Sequence, residues 1–596
     1  MRKYIFLLML SLLPLSLSAQ EQQIGTSFLL SRGVPADSIH LEEFMVEGAC
    51  HVFSNSSPHG GWVIVADSKY ADVYPSQVLA YSLRGYFGGS LNGTYRDIFA
   101  YYERCLNRLQ SEHHPDTQLL RLTETWKACE PLMGDISWYQ LQLPIEWEGK
   151  TLSVKSGCVG TAEALLLKYW QHPDRIRGQV EFMLDDVTQK SLLCKLDGIT
   201  INWPDYAPVI PRDKAKQDLI ARLQAMCSMT LSPKYGEEAT LANFHQLKYS
   251  LVNHFDFSPR MKLLRHGLFD VPTMLNAAYT DLQHHRVVAV TNRGHAFLLD
   301  GYSDGMFHFN FGWGGSADGY YRLFTHEALL TNIMVNIVPN EASATPAERT
   351  IEVKKAGTLA ELLPEAEAMN VGKLTLTGKL NGADWQLLRR MAGAVSIEQP
   401  SAPIGVLTEL DLTGARFVES KHHFLRLPSA EIGLNGHFSK NVTVKIGEES
   451  VTQTKTVKYD LRSMNHKMFT DLKGYDTMRR NFMVDEEVPD SVYWVRLFLR
   501  EDALPVRMFQ GCDNLNTLRV GKTIGHVDHT CFLDCVNLEH PVFEGTDVTF
   551  SETAFANARR LKTIAVRNRA NLKSSMFKQL FTSSLQILTP GELKKK

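Results

Sequence analysis

The sequence predicts an α+β chain of several domains that ends in a repeat solenoid, and three observations carry that prediction. Its 596 residues exceed what one hydrophobic core supports, since domains usually take about 100–200 residues each. A cysteine-led helical pattern at Ser156–Pro173 precedes a strand-rich block at 287–311. Beyond Met508 the chain repeats itself every 23 residues.

At the N-terminus, Arg2 and Lys3 precede an apolar or small run, Tyr4 to Leu17, followed by Ser18-Ala19 and the polar QEQQ. This is the layout of a secretory signal peptide, so residues 1–19 are expected to direct export, leaving a secreted or cell-surface chain. The run is shorter than the roughly 20 apolar residues a bilayer needs, and no later segment qualifies, so no membrane-spanning segment is expected. A net charge of -2 gives no electrostatic reason to propose nucleic acid or an anionic membrane as a partner. The 44% apolar and 21% charged fractions are those of ordinary globular protein. Nine cysteines are sparse and odd in number, so at least one thiol is unpaired within the chain and no dense disulfide framework is implied.

Residues 20–130 read as a small α+β unit, with strands at Gly60–Asp67 and Val78–Ser82 and a helix at Tyr95–Leu109 that ends in polar sequence at 111–117. From about Asp135 the character changes. In SGCVGTAEALLLKYWQHP, Ala162, Leu165, Leu166 and Tyr169 fall at i, i+3, i+4 and i+7, and Pro173 is a stop. Cys158 therefore lies at a helix N-terminus, where unpaired N–H groups and the macrodipole favour a thiolate. Such sites bring a thiol pKa from about 8.5 into roughly the 3.5–7.5 range. From the helix alone, an inert buried cysteine is the simpler reading.

Helical stretches near Gln217–Met229 and Thr240–His254 lead to strands at Val287–Val290, His295–Tyr302 and Met306–Phe311, with a tight turn at 303–305. The hairpin brings His295 and Asn310 within a few residues of facing each other. Cys/His/Asn catalysis needs that combination: an imidazole to take the thiol proton, and a side-chain carbonyl to fix the imidazole's tautomer and plane. His308 lies mid-strand, His284-His285 reads as a solvated turn, and Asp300, an odd number of residues from His295, points to the other face.

Four stretches resemble the streptopain family of secreted papain-like cysteine peptidases: SGCVGTAEALLLKYWQHP, GHAFLLDGY, HFNFGWGGSADGYYRL and Ser137-Trp138-Tyr139-Gln140. The resemblance implies a papain-like two-lobed domain over residues 131–340. In it Cys158 is the nucleophile, His295 the base, Asn310 the orienting residue and Gln140 an oxyanion donor beside the Cys158 N–H. Gly157, Gly294, Trp313 and Tyr235 would line the substrate cleft. GGWVIVADSKYADVYPSQVLAYSLRGYF is similar to the family's propeptide, which implies that residues 20–130 inhibit the enzyme until they are cut off between about Gln110 and Ile136.

Three departures stand out. Gly160 replaces an alanine, Phe311 replaces a tryptophan and so loses an indole N–H from the cover of the His-Asn pair, and KYGEEAT (234–240) replaces a glycine- and serine-rich stretch. There Glu237 and Glu238 read as a solvated charged loop or as a preference for a basic substrate residue.

After a small polar linker at 341–349, residues 350–590 are expected to form the solenoid. Phe509, Phe532 and Phe555 recur at one spacing, as do Leu515, Leu538 and Leu561, and the period is clearest at 505–580. Val371-x-x-Leu374-x-Leu376 and Leu407-x-x-Leu410-x-Leu412 show leucine-rich spacing, and the whole resembles BspA-type leucine-rich repeats. His526, His529, Cys531 and Cys535 mimic a metal set, but Cys535 repeats Cys512 and Ala558, which are apolar structural positions, so neither metal nor cofactor is expected. Residues 413–500 are irregular.

The expected function is a secreted cysteine endopeptidase acting on protein or peptide substrates, held by its own propeptide, with repeats that bind substrate or a surface ligand. The alternative is a surface adhesin whose papain-like domain is weakly active or inactive.

Overall fold

The computed structural model describes residues 18–593 apart from 59, 89–92, 114–122, 124, 148–149, 186–189, 232–241, 342–344, 429–434, 447–448, 461–481, 485–493, 578–579 and 581–584. The apolar leader up to Leu17 and the KYGEEAT stretch with Tyr235 lie outside the described residues. The chain forms two compact units, Met1–Ser343 and Ala344–Lys596.

In the first unit the apolar runs gather into one ten-stranded antiparallel sheet. Trp62–Ala66 and Val78–Ser82 are buried at every position, as their continuous apolar sequences demand. Val78–Ser82 pairs with Gly319–Arg322, Tyr81 lying opposite Tyr320 and Ala80 opposite Tyr321. Gly319–Arg322 then pairs with Met306–Asn310, and that strand with Ala296–Ser303. The N-terminal residues therefore complete the same sheet that carries His295 and Asn310. Gly319 permits the junction, because a Cβ there would lie 2.5 Å from the Tyr81 carbonyl oxygen.

Helix Gly93–Glu112 lays Tyr95, Ile98, Phe99, Tyr102, Cys105, Leu106 and Leu109 against this sheet at helical spacing. Its tyrosines also hydrogen-bond: Tyr102 Oη donates to the Leu79 carbonyl (2.9 Å), and Tyr101 Oη accepts from Phe324 N (2.6 Å).

The cysteine-led helix spans Gly157–Trp170 and stops before Pro173, as Gln171 turns left-handed with φ of 46°. The sequence predicts one apolar stripe, yet every residue from Gly157 to Lys168 except Cys158 is buried. The reason is its position between strand Ala296–Ser303 and the helices Lys214–Thr230 and Gln246–Asn253. Burying each of Leu165, Leu166 and Leu167 contributes about 1.5–3 kcal/mol. Gly160 lets the neighbouring helix come close, since a Cβ there would stand 3.2 Å from Ser228 Cα.

In the second unit, parallel strands Thr517–Val520, His540–Phe543, Thr563–Ala565 and Gln586–Leu588 stack in register, continuing Ala347–Val353, Val371–Leu380 and Glu409–Phe417. Thr517 faces His540, and Thr563 faces Gln586, as the 23-residue period requires. Phe509, Phe532 and Phe555 stack at centroid separations of 4.9 and 5.1 Å. Glu409–Phe417 pairs directly with Thr517–Val520, so the irregular stretch after Phe417 is an excursion between two sheet neighbours. His526 Nδ1 lies 2.8 Å from Thr549 Oγ1, and Cys535 Sγ donates to the Phe509 carbonyl, so both serve the stack. All nine cysteines are present as thiols rather than disulfides.

Candidate active site

Gly157, at φ of 76°, turns the chain into the helix and sets Cys158 at its first turn. The Cys158 sulfur lies against the backbone N–H of Ala296, the residue after His295, so the helix and the histidine strand meet where the sequence predicts. The low thiol pKa expected from the helix start is not what this state shows. Burial pushes the Cys158 thiol up, outweighing the N–H groups of Ala296, Val159 and Cys158 itself. Burial likewise lowers His295 to about 4, against the pull of the Phe311 carbonyl. The pair is therefore held as neutral thiol and neutral imidazole rather than as an ion pair.

His295 is aimed by its neighbours. Asn292 Oδ1 accepts from the backbone N of Gly294 (3.0 Å) and His295 (2.7 Å), which fixes the turn that presents the imidazole. His295 Nε2 lies 2.8 Å from the Phe311 carbonyl oxygen, and its ring stacks on Trp313 at 4.8 Å. Phe311 also stacks on Trp313 at 4.8 Å and edges onto Tyr321, so the phenyl ring keeps the cover closed without an indole.

Asn310 does not orient His295 here. Leu298, three residues after His295, faces Asn310, while the His295 ring lies against Trp313. An odd offset turns the Asn310 side chain to the other face. There its Nδ2 donates to the Ile136 carbonyl (3.0 Å) and its Oδ1 accepts from Gly312 N (3.1 Å). A backbone carbonyl thus takes the place expected for the asparagine. His308 is occupied by Asp300 at 2.6 Å, and His284 and His285 form an exposed turn.

Asp318, which the sequence reading passed over, anchors the Phe311 peptide: its Oδ1 accepts from Phe311 N at 2.9 Å. Desolvation raises its carboxyl from 3.8 to about 7, against the Phe311 hydrogen bond and the nearby His308. A raised carboxylate pKa means the folded state holds the proton more tightly, so this group costs stability increasingly from about pH 4 and fully above about pH 7. Asp318→Asn keeps the acceptor and removes the charge. Its thermal stability relative to wild type is expected to rise between pH 4 and 7 and to level off above, read as Tm across that range.

Gln140 follows a short pairing of Tyr139 with Trp313, reinforced by Gly314 N donating to the Trp138 carbonyl (3.1 Å). That pairing brings the Gln140 segment beside the His295–Trp313 stack. Ser156 N donates to the Leu141 carbonyl (3.4 Å), which joins the same segment to the cysteine helix.

The N-terminal residues reach this site from the other side. Tyr95 packs edge-on against Trp313 at 5.2 Å, and a Cβ on Gly294 would lie 3.8 Å from Asp97 Oδ2. Ser316 Oγ donates to the Gly88 carbonyl (3.1 Å), and Ala317 N donates to that of Tyr86 (3.0 Å).

Comparison with known proteins finds relatives for residues 136–321 and for the repeats. Residues 136–321 match the Peptidase C10 family, and residues 503–595 match the BspA type Leucine rich repeat region in six copies. Streptopain of Streptococcus pyogenes serotype M1 is 23% identical over 318 residues, covering 49% of this chain and 77% of its own. Thiol protease/hemagglutinin PrtT of Porphyromonas gingivalis is 22% identical over 305 residues, 46% of this chain and 34% of its own. Among solved structures, a fragment of Prevotella intermedia prointerpain A aligns over 51% of this chain and 99% of its own at 19% identity and a TM-score of 0.42. The chain is a cysteine-type peptidase whose residues 136–321 match the Peptidase C10 family and whose residues 503–595 match the BspA type Leucine rich repeat region.

Proposed function

We propose that the chain is an exported endopeptidase made as a zymogen, with Cys158 as nucleophile and His295 as base and then acid. The observation that carries this reading is the seating of the Cys158 sulfur against the N–H of Ala296, beside an imidazole already aimed by the Phe311 carbonyl. His295 takes the thiol proton, and the sulfur attacks the peptide carbonyl carbon. The resulting oxyanion is met by the Cys158 N–H and the Gln140 amide. The C–N bond then breaks as His295 protonates the leaving amine. A water deprotonated by His295 hydrolyses the thioester, releasing the acid and the free thiol.

Residues 20 to about 125 would be the inhibitory propeptide. Trp126 stacks on Tyr279 at 4.1 Å, Lys127 N donates to Tyr279 Oη, and Cys129 pairs with Tyr302, so the chain from Trp126 onward is already bound as part of the catalytic sheet. The activating cut is expected between about Gln110 and Ile136. The leader up to Ala19 would direct export, and the repeats would hold a protein substrate or a surface ligand.

The test is casein digestion by the full chain before and after limited proteolysis of the N-terminal residues. Peptide release is expected only after the cut, and a cut, folded chain that releases none contradicts the reading. Deleting residues 350–596 is expected to leave hydrolysis of a short fluorogenic peptide within about twofold.

A further inference from the structure

Both groups assigned to the oxyanion are backed by one buried side chain that neither the sequence motifs nor the proposed mechanism includes. Gln224, on helix Lys214–Thr230, is 0% exposed. Its Nε2 donates to the Tyr139 carbonyl (3.0 Å), and its Oε1 accepts from Leu141 N (3.0 Å). The amide therefore bonds the backbone on both sides of Gln140. The same Oε1 accepts from Ser156 Oγ at 3.3 Å. Ser156 Oγ lies 2.9 Å from Thr161 Oγ1, which donates to the Gly157 carbonyl at 2.9 Å. One side chain thus ties the Gln140 segment to the two residues that precede Cys158.

We propose that Gln224 is a positioning residue that holds the Gln140 amide and the Cys158 N–H in register for one oxyanion; the inference rests on the Cys158–His295 reading above. The physical case is one of preorganisation. Two donors stabilise a developing charge only if they converge on one point before it appears, and about 1 Å of misplacement costs on the order of 100-fold in rate. Gln140 is only half-buried, and Tyr139 beside it is 43% exposed, so local burial does not fix this stretch. Gln224 supplies a rigid anchor from a helix that Gly160 allows to lie against the cysteine helix. A planar amide suits the task because it donates from one end and accepts twice at the other, which matches a carbonyl and an N–H two residues apart together with a hydroxyl.

The prediction separates positioning from packing. In the processed full chain, Gln224→Met and Gln224→Glu are expected to lower kcat by roughly 10- to 100-fold, less than the roughly 10^2–10^3 that follows from deleting a donor outright. KM for a short peptide should stay within about twofold. Affinity for a peptide aldehyde, whose thiohemiacetal places an oxyanion in the same spot, should fall with kcat/KM. Alkylation of Cys158 by iodoacetamide forms no oxyanion and should keep its wild-type rate. Gln224→Glu should regain activity toward low pH, because only the protonated carboxyl can donate to the Tyr139 carbonyl. Unchanged kcat and aldehyde affinity would overturn the proposal, and so would a loss of hydrolysis matched by an equal loss of alkylation. A wild-type chain that neither hydrolyses peptide nor binds the aldehyde would instead overturn the Cys158–His295 reading, and this inference with it.

Discussion

Cys158→Ala is expected to lower kcat/KM by roughly 10^4- to 10^6-fold and to stop removal of the N-terminal residues by the chain's own activity. The size follows from covalent catalysis: without the sulfur there is no thioester, and the remaining oxyanion donors and binding cleft act only on a water that nothing has activated. The fold should survive. Cys158 is the one residue of Gly157–Lys168 that is not fully buried, and losing its sulfur opens little space. The measurement is hydrolysis of a fluorogenic peptide, together with the size of the purified chain on a denaturing gel. The same substitution at Cys227, buried in the neighbouring helix, should leave catalysis in place at some cost in stability.

The second large effect concerns the N-terminal residues. Expressing the chain without 20–112 is expected to give mostly aggregated material, because the strand edge is open while the chain folds, whereas a chain cut after folding stays folded; supplying those residues as a separate polypeptide should raise the folded yield and inhibit the enzyme with sub-micromolar affinity. The sheet explains both outcomes. Val78–Ser82 satisfies the edge of Gly319–Arg322, and Tyr81 stacks on Tyr320 at 5.1 Å while Trp62 meets Tyr321 at 5.6 Å. Without them a strand edge and an aromatic face stand open to water and to other chains. Inhibition follows from Tyr95 lying on Trp313, so Tyr95→Ala is expected to weaken inhibition in trans by about 10- to 100-fold while leaving the enzyme itself unaltered. Full peptidase activity in the intact, uncut chain would contradict this account.

Much of the fold around the candidate site was legible because its elements sit where local rules are strong. The strand at Val78–Ser82, the helix led by Cys158 and the hairpin turning at 303–305 all follow from periodicity and turn chemistry. The failure at Asn310 is instructive in the same terms. Counting from the turn brings Asn310 near His295, but Ser303 pairs with Met306 and Leu298 with Asn310, a bulge between them having shifted the register by one. That bulge decides which side chain faces His295, and nothing local in the sequence announces it.

Other features are tertiary by nature. Burial of both Cys158 and His295 reverses the thiol pKa expected from a helix end, because desolvation outweighs a few N–H dipoles. Gln224 and Asp318 carry no motif, since what they hold is backbone brought close by folding. Asn292 carries a local signal, a turn asparagine ahead of a strand. The 23-residue period, by contrast, reports the solenoid directly, because each repeat places the same side chains on the same neighbours.

The most direct test of the central claim is peptide mapping after treatment with an epoxide-type thiol-protease inhibitor at neutral pH. The claim is that Cys158 becomes a reactive thiolate beside His295 once the N-terminal residues leave. With those residues cut away, the adduct is expected on Cys158 alone among the nine cysteines, and His295→Ala should suppress it. The uncut chain should react far more slowly. Labelling spread over other cysteines, or no adduct on Cys158 after the cut, would contradict the account.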